Sequence, residues 1–308
     1  MGKTAFIFPG QGAQYFGMGK DFYDTYQTAR EVYELAQKAT GLDVAELCFT
    51  ENDRLNITEY TQIAMLTTEV AILKVLQEKG LKADCCAGLS LGEYGALAAA
   101  EVMGFEDLFC LIRSRGIYMQ EAYPVGGAMS AVLGLDADVI KDICESVDGI
   151  VSIANDNCPG QIVITGEEKA VRKAEEKLTE AGARKCVPLN VSGPFHSALL
   201  KGAGEKLAAE LASVTVKDPV IPYYCNVEAD IVTDCSKVKE LLSKQVSGTV
   251  RWRETMERMI ADGVDTFIEI GPGKTLTGFL RKINRDVTVK NVDKLEDMEK
   301  LLAETAVG

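Results

Sequence analysis

A chain of 308 residues, 47% of them hydrophobic, is long enough to bury a sizeable core as one large domain or as a large and a small one. A formal net charge of −13 at pH 7 excludes a nucleic-acid binder, which needs a basic face for phosphate contacts. One histidine and nine cysteines without a Cys-x-x-Cys pair leave too few ligands for a zinc or other transition-metal site. No metal is expected, and thiols inside apolar runs (Cys85, Cys86, Cys110, Cys225) fit a reducing compartment. The first residues run straight into a strand-like segment, and no apolar stretch is long enough for export or for a bilayer span. A cytoplasmic protein is expected, with neither a membrane nor a nucleic-acid partner.

Short apolar runs punctuated by Gly and Pro alternate with helical patterns, a rhythm that argues α/β. A buried strand is predicted over Thr4–Phe8, ending at Pro9-Gly10-Gln11-Gly12. Helices are predicted near Asp21–Thr40 and Thr61–Lys79, then a short strand over Ala83–Ala87 that runs through Gly88-Leu89-Ser90-Leu91-Gly92 into an Ala-rich helix, Glu93–Ala100. Phe105–Glu121 continues helically. Between residues 127 and 189 the pattern becomes strand (Ala128–Leu133), helix (Ala137–Val147), strand (Ile150–Ala154), strand (Gln161–Gly166), helix (Glu167–Ala181), strand (Arg184–Pro188). This β-α-β-β-α-β order is ferredoxin-like, and 127–189 reads as a small subdomain inserted into a larger α/β domain made of 1–126 and 190–308. The cleft between them is the natural ligand site. Beyond it come a helix to about Ser213, a strand at Ile221–Cys225, helices near Ser236–Gln245 and Arg253–Asp262, a last buried strand over Asp265–Ile270 and a helix at Thr275–Asn284.

Ser90 lies on a predicted strand-to-helix turn in a Gly-x-Ser-x-Gly match, the context that a nucleophile elbow requires. The N–H of Leu91 is then a ready oxyanion donor, and Gln11, in the Gly-rich turn at the carboxyl edge of the first strand, offers a second. That turn, Gly10-Gln11-Gly12-Ala13-Gln14, lacks the glycine spacing of a dinucleotide site and the Gly-Lys-Ser/Thr of a P-loop. If Ser90 needs a general base, the only histidine, His196, about a hundred residues later in Ser192-Gly193-Pro194-Phe195-His196-Ser197, is the candidate. A lone histidine is more often structural, and no Asp or Glu near the end obviously orients this one; a backbone carbonyl accepting the Nδ1 proton would serve. Arg113 and Arg115 sit in an apolar helical stretch two positions apart, so they face differently and one points inward. A buried guanidinium needs a carboxylate, from the protein or from a substrate.

Together these residues resemble the malonyl-CoA:acyl carrier protein transacylases of fatty acid synthesis and the related acyltransferase domains of polyketide synthases. The resemblance covers almost the whole chain, through Gly10-Gln11-Gly12-Ala13-Gln14, Thr61-Gln62, Gly88-Leu89-Ser90-Leu91-Gly92-Glu93, Arg115, Asn155-Asp156-Asn157-Cys158-Pro159-Gly160-Gln161, Phe195-His196, Gln245 and Glu269-Ile270-Gly271-Pro272-Gly273. It implies an α/β-hydrolase-like large domain with the inserted ferredoxin-like subdomain, Ser90 as nucleophile, His196 as base and then acid, and the N–H groups of Gln11 and Leu91 as oxyanion hole. It also implies the Gln245 carbonyl behind His196, Arg115 on the malonyl carboxylate, and Gln62, Asn155 and Asn157 as polar supports. The expected partners are malonyl-CoA as substrate and an acyl carrier protein, with no cofactor and a monomeric enzyme. The family commonly has histidine where this chain has Leu89. Phe195 resembles the malonyl-selective members, since its ring would crowd an α-methyl branch. Carrier proteins of the family are acidic, so docking on this acidic chain requires a local basic patch, Arg281, Lys282 and Arg285 or Arg184 and Lys185. Rival readings are an esterase using the same serine and histidine with water, and a non-catalytic acyl-CoA-binding protein. The sequence does not separate fatty acid synthesis from polyketide assembly or malonate decarboxylation.

Overall fold

A computed structural model of the chain describes residues 2–191 and 193–305. The first strand, β1 (Lys3–Phe8), is followed by α1 (Lys20–Thr25), α2 (Gln27–Thr40), α3 (Val44–Phe49) and the long α4 (Thr58–Glu78). Next come β2 (Cys85–Gly88), α5 (Gly92–Ala99) and α6 (Phe105–Ala122). The middle of the chain forms β3 (Gly127–Leu133), α7 (Ala137–Glu145), β4 (Val151–Cys158), β5 (Gln161–Glu167), α8 (Glu168–Glu180) and β6 (Lys185–Pro188). The remainder forms α9 (Lys201–Leu211), β7 (Tyr223–Tyr224), β8 (Ile231–Val232), α10 (Val238–Gln245), α11 (Trp252–Ala261), β9 (Val264–Ile270), α12 (Thr275–Ile283), β10 (Thr288–Val292) and α13 (Leu295–Thr305).

Six strands form one sheet in the order β10-β9-β1-β2-β7-β8, parallel except for β8, and four form an antiparallel sheet in the order β4-β5-β3-β6. Both faces of β1 are covered, which is why Ala5–Phe8 is an unbroken apolar run rather than an alternating one. In the smaller sheet the alternation is explicit. Val132, Ile162 and Ile164 face α7 and α8 and close a core of their own, whereas Met129, Ala131 and Val163 face the opposite way, toward the larger sheet.

The predicted helix over Asp21–Thr40 is in fact two, because Tyr26 is extended and the Arg30 guanidinium caps the end of α1 through the carbonyls of Tyr23 and Asp24. The helix α3 is additional, with Asp43 accepting from the Glu46 N–H at its start. The strand β9 is not the last: β10 lies parallel beside it at the sheet edge, and its half-exposed, charged sequence hides it from an apolar pattern. The predicted strand at Ile221–Cys225 shrinks to Tyr223–Tyr224. Conversely β4 outruns its predicted end at Ala154, since Asn155 bridges Val250 and Asp156 pairs with Arg253 at 2.9 Å, so polar residues continue the strand.

The carboxyl ends of β1 and β2 are level, with Phe8 opposite Gly88. The turn after β2 is packed without slack: a Cβ at Gly88 would lie 1.8 Å from the Gly92 carbonyl oxygen, and one at Gly92 would lie 2.2 Å from the Phe8 carbonyl oxygen. Gly92→Ala is therefore expected to destabilise by at least about 1–3 kcal/mol in urea unfolding. Gly278→Ala, in α12 where an added Cβ meets nothing within 4 Å, is expected to stabilise by about 0.5–1 kcal/mol.

Candidate active site

Between β2 and α5, Ser90 adopts φ 55°, a left-handed conformation that costs a non-glycine residue about 1–3 kcal/mol. Both ends of the residue are held against that strain. Its N–H donates to Asn226 Oδ1 at 2.7 Å, and its carbonyl accepts from Gln245 Nε2 at 2.9 Å. Asn226 is itself fixed by donating Nδ2 to the Gly88 carbonyl at 2.7 Å. The result lifts Oγ out of the sheet toward His196.

His196 is also left-handed, at φ 59°, and is buried. Its Nε2 lies 2.7 Å from Ser90 Oγ and its Nδ1 lies 2.8 Å from the Gln245 carbonyl oxygen. A carbonyl only accepts, so Nδ1 carries the proton and Nε2 is the acceptor facing the serine hydroxyl. Burial first, and the neighbouring Arg115 second, push the imidazole down to about 4, so it is neutral at pH 7.

Arg115 extends from α6 and is 1% exposed. Nη1 donates to Gln62 Oε1 at 2.7 Å, and Nη2 donates to Gln245 Oε1 at 2.9 Å and to Ser90 Oγ at 3.2 Å. Among the described residues no carboxylate forms an ion pair with it, whereas Arg113, two positions earlier, pairs with Glu59 at 3.2 Å. Burial lowers its pKa, opposed by the charges of Tyr94 and Glu93, but a guanidinium remains a cation at neutral pH. Its Nε–H has no partner among the described residues. The arginine thus sits directly behind the serine, surrounded by amide oxygens.

A cleft of about 300 Å³ opens in front of Ser90 between the two sheets. Gln11, Gln62, Leu91, Asn155, Asn157, Phe195 and His196 line it with Ser90; Arg115 and Gln245 lie behind the wall. Gln11 follows β1, its side chain donating to Thr58 Oγ1 at 3.0 Å, and a Cβ on the adjacent Gly10 would lie 2.7 Å from the Leu89 carbonyl oxygen. The two loops are therefore in contact. The backbone N–H groups of Gln11 and Leu91 donate to no protein acceptor among the described residues. Leu89 also lines the cleft and packs in the apolar cluster of Cys158 and Phe279. The Asn157 Oδ1 is buried without a partner among the described residues.

Two residues of the site received no role in the sequence reading. Glu93 is fully buried and accepts from Gln245 Nε2 at 2.7 Å and from the Asn226 N–H at 3.1 Å. A charged residue inside the otherwise apolar Gly92–Ala99 helix was a signal for it. Asn226, in a loop after a two-residue strand, has no such signal. Arg281, Lys282 and Arg285 lie exposed on and just after α12, whose first residues Thr275 and Leu276 line the cleft; Arg184 and Lys185 lie exposed at the small sheet.

A serine on a strand-to-helix turn, a neutral histidine within hydrogen-bond reach and free backbone N–H groups beside them form the arrangement of an acyl-transfer enzyme. The acyl transferase domain family matches residues 5–300. A malonyl CoA-acyl carrier protein transacylase of Bacillus subtilis is 44% identical over 304 residues, covering 97% of this chain and 96% of that protein. The crystal structure of a malonyl CoA-acyl carrier protein transacylase from Clostridium perfringens superposes with a TM-score of 0.95 at 44% identity, covering 99% of this chain and 97% of that one. A malonyl-transacylase solved in complex with its type II polyketide synthase acyl carrier protein has a TM-score of 0.95 at 39% identity, covering 98% and 99% of the two chains. The chain belongs to the acyl transferase domain family and, within it, to the malonyl CoA-acyl carrier protein transacylases.

Because the base must be neutral, the rate at which a fluorophosphonate modifies Ser90, followed by intact mass, should hold from pH 8 to 5 and fall toward pH 4. Arg115→Gln removes the second cause of the low imidazole pKa and should move that acid limb to higher pH.

Proposed function

We propose that the protein carries a malonyl group from malonyl-CoA to the phosphopantetheine thiol of an acyl carrier protein, for fatty acid synthesis, through a malonyl ester on Ser90. The observation that carries this reading is Arg115: a buried cation 3.2 Å from Ser90 Oγ with no protein carboxylate paired to it among the described residues. The acyl group it favours is one that brings its own carboxylate. His196 Nε2 takes the proton from Ser90 Oγ as that oxygen attacks the thioester carbonyl, and the N–H groups of Gln11 and Leu91 receive the developing oxyanion. Coenzyme A leaves as the thiol, with the proton from His196. The carrier thiol then gives its proton to His196 and attacks the ester, and Ser90 regains its hydrogen.

Gln245 holds the imidazolium through its carbonyl, replacing the carboxylate of a triad. Gln62 supports Arg115, Asn155 and Asn157 line the cleft as polar supports, and Phe195 crowds a branched acyl group. The reading invokes no cofactor and no metal beyond the substrate malonyl-CoA. The reading takes the protein as a cytoplasmic monomer; no described helix is long and apolar enough to cross a membrane. Residues 127–189 form the ferredoxin-like unit in this proposal, with 1–126 and 190–308 as the α/β-hydrolase-like domain; the order β4-β5-β3-β6 and its separate apolar core support that division.

Intact mass after mixing with malonyl-CoA should show a malonyl adduct on wild type and none on Ser90→Ala; an adduct that survives in Ser90→Ala, or an acetyl adduct formed in preference, defeats the reading. An unpaired buried charge costs about 2–5 kcal/mol, so Arg115→Ala should slow malonyl transfer by about 30-fold to several thousandfold while leaving acetyl transfer little changed. Reversing the charges of Arg281, Lys282 and Arg285 should slow transfer to the carrier protein without slowing formation of the malonyl ester, and transfer at an unchanged rate rules that docking face out.

A further inference from the structure

The side chain of Gln245 touches three groups of the site, and an amide is useful there only in one orientation. Its Oε1 faces Arg115 Nη2 at 2.9 Å, while its Nε2 faces the Ser90 carbonyl at 2.9 Å and Glu93 Oε2 at 2.7 Å. Turned over, the amide would aim Nε2 at a guanidinium and Oε1 at a carbonyl and a carboxylate, three repulsive contacts. Arg115 and the Ser90 carbonyl set which way the amide lies, and Glu93 Oε2 anchors its nitrogen end. The same Oε2 takes the Asn226 N–H at 3.1 Å, and Asn226 Oδ1 holds the N–H of Ser90 at 2.7 Å. One buried oxygen therefore reaches the nucleophile by one route and the arginine by another.

We propose that Glu93 is a positioning residue whose Oε2, by fixing the Gln245 amide and the Asn226 backbone, holds the Arg115 guanidinium and the Ser90 turn in register for a carboxylate-bearing acyl group. The Glu93 side chain touches neither Ser90 Oγ nor the imidazole in any hydrogen bond among the described residues, so its hydrogen bonds bear on them through these two neighbours. Full burial raises its carboxyl to about 7, the expense of keeping an ionisable group among the apolar residues of α5. An acceptor oxygen at that point, rather than a charge, is what the geometry demands.

The inference rests on the malonyl-transfer reading, and two substitutions separate oxygen from charge. Glu93→Gln keeps an oxygen at the same reach and loses the charge, whereas Glu93→Asp keeps the charge and withdraws the oxygen by one methylene. Single-turnover formation of the Ser90 ester from malonyl-CoA and from acetyl-CoA gives the malonyl-to-acetyl ratio, with thermal unfolding recorded for each variant. The expected result is a ratio close to wild type in Glu93→Gln and lower by about tenfold in Glu93→Asp, with a loss in the Glu93→Asp, Gln245→Ala double variant smaller than the product of the two single losses, because both act on the Gln245 amide. An unchanged ratio in Glu93→Asp, an equal loss in Glu93→Gln, or losses that multiply in the double variant would overturn it. Failure of the underlying reading is separately visible, as wild type would then form no malonyl ester.

Discussion

A guanidinium enclosed by protein, whose hydrogen bonds among the described residues run to neutral oxygens, is the constraint around which this molecule is arranged. Arg115 meets the amide oxygens of Gln62 and Gln245 and the hydroxyl of Ser90, and each satisfies a donor without cancelling the charge. A carboxylate in either amide position would give a stable, closed ion pair and leave nothing for an acyl group to neutralise. Amides keep the cation oriented and electrostatically open. The fold holds that cation in place: α6 is packed against α4, α2 and α9, and the guanidinium is buried with only the Ser90 hydroxyl between it and the cleft.

The same cation acts on the base. With the histidine buried beside it, protonation at neutral pH is disfavoured twice over, by loss of water and by like charge. Conventional triads raise the basicity of the imidazole with a carboxylate; here a carbonyl fixes the tautomer and adds no formal negative charge. In the proposed reading a substrate carboxylate on the arginine would remove one of the two disfavouring causes. Substrate binding and base strength would then be coupled through a single side chain, and an acyl group without a carboxylate would leave that coupling unused.

Much of this was legible in the chain because the chemistry depends on local geometry. The Gly-x-Ser-x-Gly turn is readable since close backbone packing at Gly88 and Gly92 admits no other residue, and the β-α-β-β-α-β order is readable since each element carries its own period. Gln245 entered through a family likeness alone and Arg115 also through its apolar helical setting, which argued for an inward guanidinium; that both side chains lie behind the serine, off the cleft wall, was not foreseen. What stayed hidden lacks a local signature. Asn226 follows a two-residue strand and does its work through contacts 136 residues away in the chain. The extension of β4 depends on Val250 and Arg253, and β10 is an edge strand whose polar faces imitate a loop.

The pleat of the smaller sheet divides labour along the chain. Alternate residues of β3 and β5 belong to a private core against α7 and α8, while the others, Met129, Ala131 and Val163, form part of the wall facing the serine. The groups that make and break bonds come from elsewhere: the turn after β2, the helix α6, the end of α10 and the segment bearing His196. One wall of the cleft and the groups that face it are thus written in different stretches of sequence. Substitutions on that face of a four-stranded sheet can reshape the cleft without touching the nucleophile or its base.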